Sequence, residues 1–100
     1  MVKHIILWTI KDEYSTEEKK KIVAGIKTGL ESLAGKIPGM ISIEVHVSPL
    51  KSSNTEVMLD SCFESEEALN GYSIHPEHVA IANEFVRPYT KTRNCFDYEA

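Results

Sequence analysis

The chain has 100 residues, a formal net charge of -4, 42% hydrophobic residues and 26% charged residues. That balance suits one small globular domain with a modest core, and an acidic chain without a basic patch is a poor partner for nucleic acid. The opening run MVKHIILWTIKDE is too short for a transmembrane span and lacks a small-residue cleavage site, so a cytoplasmic protein with no membrane partner is expected.

Val2–Ile10 is rich in β-formers and reads as a strand. Val2, His4, Ile6, Trp8 and Ile10 lie on one side of it, and Lys3, Ile5, Leu7 and Thr9 on the other. Apolar side chains on both sides predict a sheet covered on both faces. Ser15 and Glu18 then form a capping box that opens a helix, whose stripe is Ile22, Val23, Ile26, Leu30 and Leu33. Gly25 and Gly29 inside it predict close packing, Gly35 stops it, and Pro38-Gly39 turns the chain.

Met40–Val47 alternates as a second strand, with Ile41, Ile43, Val45 and Val47 on one side. A polar turn over Ser48–Thr55 leads to a third strand, Glu56–Glu64, with Val57, Leu59, Ser61 and Phe63 on one side. Ser65–Asn70 reads as a small helix. His75 precedes Pro76, so a cap at His75 and a helix from Pro76 to about Arg87 follow. Arg93–Glu99 is the last strand. The order β-α-β-β-α-β predicts a ferredoxin-like α+β sheet with its long helices on one face.

The second face of that sheet then wants a partner, and a second copy of the chain closing a two-chain α/β barrel supplies one. A standard interface removes about 1,600 Å², of which roughly 900 Å² is apolar, worth about 20 kcal/mol gross. Association costs roughly 4–15 kcal/mol, so a homodimer is expected.

The chemistry concentrates in the segment GYSIHPEHVAIANEFVRP, Gly71–Pro88. The His78 imidazole titrates near neutrality and can take a proton, while the Tyr72 phenol can donate a hydrogen bond to a developing oxyanion. Ile6 and Trp8 beside His4, together with Val57 and Leu59 on the third strand, are candidate lining for a small, partly apolar ligand, and His75 is a further ligand candidate. Arg93, if it faced inward, would favour an acidic ligand; it reads as a solvated edge charge. The chain has no HxxxH or HExxH pair, no glycine-rich phosphate loop and no CxxC, so neither metal nor cofactor is expected, and Cys62 and Cys95 read as reduced thiols.

VKHIILWTIKDE, the Tyr72–Val79 segment (YSIHPEHV) and the closing Cys95–Tyr98 (CFDY) resemble the stress-responsive dimeric α/β-barrel family, often called Dabb. The resemblance spans nearly the whole chain and implies the two-chain barrel. Members of that family mostly lack an assigned activity; some are stress-associated plant proteins, and one branch is a plant polyketide cyclase that makes olivetolic acid. Against that branch, Tyr72 and His78 match the catalytic tyrosine and histidine, Asp97 matches an aspartate that orients the histidine, and His4 matches a barrel-facing histidine. Val57 departs from the branch, which has a histidine there. The small monooxygenases share only the element order. The resemblance therefore implies a stress-responsive barrel protein, with a cofactor-independent acid–base enzyme or binding module as the alternative.

Overall fold

The computed structural model describes residues 1–100. The elements are β1 (Val2–Ile10), α1 (Thr16–Glu31), β2 (Met40–His46), β3 (Val57–Phe63), α2 (Glu66–Ile74), α3 (Pro76–Ile81), which runs on through a π-helical turn over Ala82–Val86, and β4 (Thr90–Glu99). The four strands form one antiparallel sheet in the order β2-β3-β1-β4. This is the ferredoxin-like α+β arrangement.

Local chemistry sets the element boundaries. Ser15 Oγ accepts from the Glu18 amide at 3.2 Å while a Glu18 carboxylate oxygen accepts from the Ser15 amide at 2.9 Å, which closes the capping box of α1. Ser65 caps α2, and α2 runs four residues past its expected end at Asn70. His75 ends α2 and opens α3: its backbone is extended and its Nδ1 accepts from the Glu77 amide at 3.2 Å. Gly39 has φ of +78°, and a Cβ there would lie 2.5 Å from that of Ala68, so the turn into β2 requires glycine twice over.

The helices cover one face of the sheet. Val2, His4, Ile6, Trp8 and Ile10 are all buried on that face, whereas the alternate residues of β1 are half-buried. The core joins them to Ile26 and Leu30 of α1, and to Leu33, Ile37, Val45, Leu59 and Phe63. Phe85 packs against α1, where a Cβ on Gly29 would stand 3.0 Å from its ring; the close approach expected of that glycine is real. The opposite face carries Ile5, Leu7, Met58 and Cys62 of the inner strands and Phe96 and Tyr98 of β4. Phe96 is 69% exposed and Tyr98 44%. Lys3 and Asp60 form an ion pair between them. No helix is long and apolar enough to cross a membrane.

The two edges of the sheet differ. At the β2 edge both backbone polar groups of Val45 bond to side chains of α1: its amide donates to Glu31 at 2.9 Å and its carbonyl accepts from Lys27 at 2.7 Å. At the β4 edge every residue after Thr90 is exposed.

Candidate functional site

A cavity of about 270 Å³ lies between the sheet and the α2–α3 segment. This is near the small end of ligand pockets. β1 supplies His4, Ile6 and Trp8 to its wall, β3 supplies Leu59, and α2 and α3 supply Tyr72 and His78. These are six of the residues singled out in the sequence. Trp8 forms wall without filling the space, Met58 lies on the other face of the sheet, and Phe85 is engaged with α1.

Tyr72 is only 2% exposed, and its hydroxyl is buried without a hydrogen-bond partner. Its ring sits among aromatic neighbours, 5.1 Å from Phe63 and 4.1 Å from His78 between centroids. Burial pushes the phenol above its ordinary range and the nearby Arg93 charge opposes this only in part, so Tyr72 stays protonated and is a donor. His78 is half-buried, and desolvation holds its imidazole below the ordinary histidine value, so it is neutral at neutral pH. Its Nδ1 lies 3.4 Å from the Ser73 carbonyl. A carbonyl only accepts, so this contact assigns the proton to Nδ1 and the lone pair to Nε2. The cavity wall thus sets the Tyr72 phenol, its hydroxyl covered, beside the His78 imidazole.

Asp97 does not reach His78. β1 and β4 pair in a register that sets His4 opposite Asp97, and Asp97 Oδ1 accepts from His4 Nδ1 at 2.5 Å. The aspartate expected to orient His78 therefore orients His4, because cross-strand register decides which histidine it meets. Cys95 stands on the same side, with Sγ 3.4 Å from Asp97 Oδ1 and 3.9 Å from His4 Nδ1. Desolvation, with Asp97 adding to it, raises the Cys95 thiol above its usual range and keeps it protonated. These three groups hold potential metal donors within 4.8 Å of one another. As arranged, the direct His4–Asp97 bond joins two of the donors that an ion would have to share.

Two ligand candidates stand apart from the cavity. Val57 is buried in the core without reaching the wall, and His75 lies on a separate surface groove beside Pro38, Gly39 and Ala68. Two residues join the wall instead. Arg93 faces the cavity, contrary to its expected place as an outward edge charge, because it pairs opposite Trp8 and so shares the helix-covered side of the sheet. Period-two alternation from Asp97 was the available signal. Arg87 also lines the cavity. The π-helical turn brings it there: its amide donates to Ala82 five residues back, at 2.8 Å, so the two stack on one side. In an α-helix a five-residue step would rotate Arg87 about 140° away from Ala82. Nothing in the sequence marked that turn as other than α-helical.

The family model for the stress responsive A/B barrel domain, Dabb, matches residues 2–100. The chain belongs to that family. It is 29% identical over 85 residues to the stress-response A/B barrel domain-containing protein HS1 of Arabidopsis thaliana, covering 85% of this chain and 77% of that protein. Among solved structures, a dimeric protein of unknown function with a ferredoxin-like fold, from Bacteroides fragilis, superposes with a TM-score of 0.90 at 32% identity, over 99% of this chain and 95% of that one. An Arabidopsis thaliana protein superposes with a TM-score of 0.76 at 26% identity, over 100% and 95%. The cavity therefore lies within a Dabb fold whose specific activity is unassigned.

Proposed function

We propose that this Dabb chain works as a homodimer, joined through the open face of the sheet and β4, and that the cavity under its helices binds a small, partly apolar molecule bearing an oxygen acceptor. The observation that carries the binding reading is the Tyr72 hydroxyl. A buried hydroxyl without a partner costs about 1–3 kcal/mol, and phenylalanine would fill the same space without that cost. A phenol kept there at the wall of a cavity is accounted for by a ligand that accepts its hydrogen bond. The lone pair on His78 Nε2 is the complementary acceptor, and Ile6, Trp8 and Leu59 provide the apolar wall. Association is supported by the exposed Phe96 and Tyr98 on the uncovered face and by the dimeric Bacteroides fragilis relative. Free Cys62 and Cys95 suit a reducing compartment such as the cytoplasm.

Binding is favoured over proton-transfer catalysis because the carboxylate that would orient His78 serves His4. The direct test is titration of the full chain with acetophenone, a neutral ketone, followed by amide NMR. Shifts clustered at Ser73, His78 and Thr90 are expected, and Tyr72→Phe should weaken binding by about 1 kcal/mol, roughly fivefold. Shifts scattered over the surface, or unaltered affinity in Tyr72→Phe, would remove the support for this reading.

A further inference from the structure

We propose that the cavity selects ligands carrying a carboxylate or similar anionic oxygen group, received at its mouth by Arg87 and Arg93. The inference rests on the binding reading above and adds the charge class of the ligand. The chain contains only two arginines, and both line this one cavity. Aspartate and glutamate total 15 and the net charge is -4, yet no acidic side chain lines the cavity. Neither arginine forms an ion pair, although lysines of the same chain pair with Asp60, Glu17, Glu31 and Asp12. The nearest structural role for Arg87 is a neutral one, donating to the Asn83 side-chain oxygen at 2.7 Å. Asp97, which meets this wall at His4, is held by that histidine.

An acidic protein that leaves both its guanidinium groups without an acidic partner at one cavity has a locally positive site in a negative surround. Guanidinium is weakly hydrated and forks to carboxylate with two parallel hydrogen bonds, so it suits an anion better than a lysine would. The π-helical turn reinforces the point, because it is the local distortion that delivers Arg87, and such turns recur at functional sites. The electrostatics agree: the Arg93 charge acts on the Tyr72 phenol and the Arg87 charge on His78. A fitting ligand would place its anionic group at the arginines, its apolar body along Ile6 and Leu59, and a second oxygen at Tyr72.

Benzoate and acetophenone are near-isosteres that differ in charge, so paired titrations at pH 7 and fixed ionic strength isolate the effect. Wild-type chain is expected to bind benzoate about tenfold more tightly than acetophenone, with both probes shifting the same cavity amides. Arg93→Gln and Arg87→Gln should each shrink that ratio severalfold, chiefly through a loss of benzoate affinity, and Arg93→Lys should restore part of it. Equal affinity for the two probes, or a ratio that survives both glutamine variants, overturns anion selection while leaving the binding cavity intact. If neither probe shifts cavity amides, the binding reading itself fails and takes this inference with it. Thermal unfolding of each variant confirms that the fold is kept.

Discussion

The two edge strands, β2 and β4, lie at opposite ends of the same sheet and are finished in opposite ways. β2 is blunted from within. Glu31 and Lys27 of α1 occupy both backbone polar groups of Val45, so that point of the edge is closed to a further strand. β4 is exposed from Lys91 onward, carrying Phe96 and Tyr98 on one side and Arg93, Cys95 and Asp97 on the other. A long bare edge strand with exposed aromatics is a liability in a monomer and an asset at an interface. In the proposed dimer one chain completes half of its sheet alone and leaves the other half to a partner. The same bare strand supplies the cavity with Arg93 and holds His4 through Asp97, so on this proposal assembly and ligand site would share an element.

The largest effect should follow from attacking the bare edge. Phe96→Asp is expected to weaken self-association by about 2–4 kcal/mol, the loss typical of an interface hot spot, as read by sedimentation equilibrium. The fold should persist, because Phe96 is not part of the core. Attacking the closed edge should act on stability instead. Glu31→Ala removes the acceptor for the Val45 amide and for Lys27, and urea unfolding should report a loss of about 1–3 kcal/mol with the association state unchanged. Hydrogen bonds from Lys27 and Val45 hold the Glu31 carboxyl below its ordinary range. Its contribution is therefore full above the unfolded value of 4.5 and is lost as pH falls through the lower folded value, and this component should vanish in Glu31→Gln.

On the β4 side the cavity makes a smaller, opposite prediction. Tyr72→Phe should raise stability by about 1 kcal/mol, since it removes a buried hydroxyl without a partner, while it weakens acetophenone binding. Loss of stability would mean that the hydroxyl serves packing. The smallest effect concerns His78. Burial lowers its folded value, so the unfolded chain takes up the proton first as pH falls below 6.5. Stability attributable to this group is full above that pH and declines beneath it; His78→Gln should flatten that part of the pH profile measured by urea unfolding.

Much of this architecture was legible in the sequence, because it rests on local signals. The Ser15–Glu18 capping box, the two-sided β1, the Pro76 start and the His75 cap all depend on residues within a few positions of one another. The cavity wall was legible where it followed strand alternation, as with His4, Ile6, Trp8 and Leu59. What escaped depends on distant pairing or on a subtle change of helical pitch. Asp97 meets His4 rather than His78 through a contact 93 residues apart in the chain. Arg93 turned inward because it shares parity with Asp97, and β4 lacks the clean apolar alternation that would announce its inner side. Arg87 reached the cavity through one widened turn, and Val57, on the same strand side as Leu59, was absorbed by the core.

The contrast between a finished and an unfinished edge is tested most directly by sedimentation equilibrium of the unmodified chain at micromolar concentration. A stable species of two subunits, that is, twice 11.3 kDa, is expected. A single-subunit species at that concentration, with the sheet intact, would contradict it.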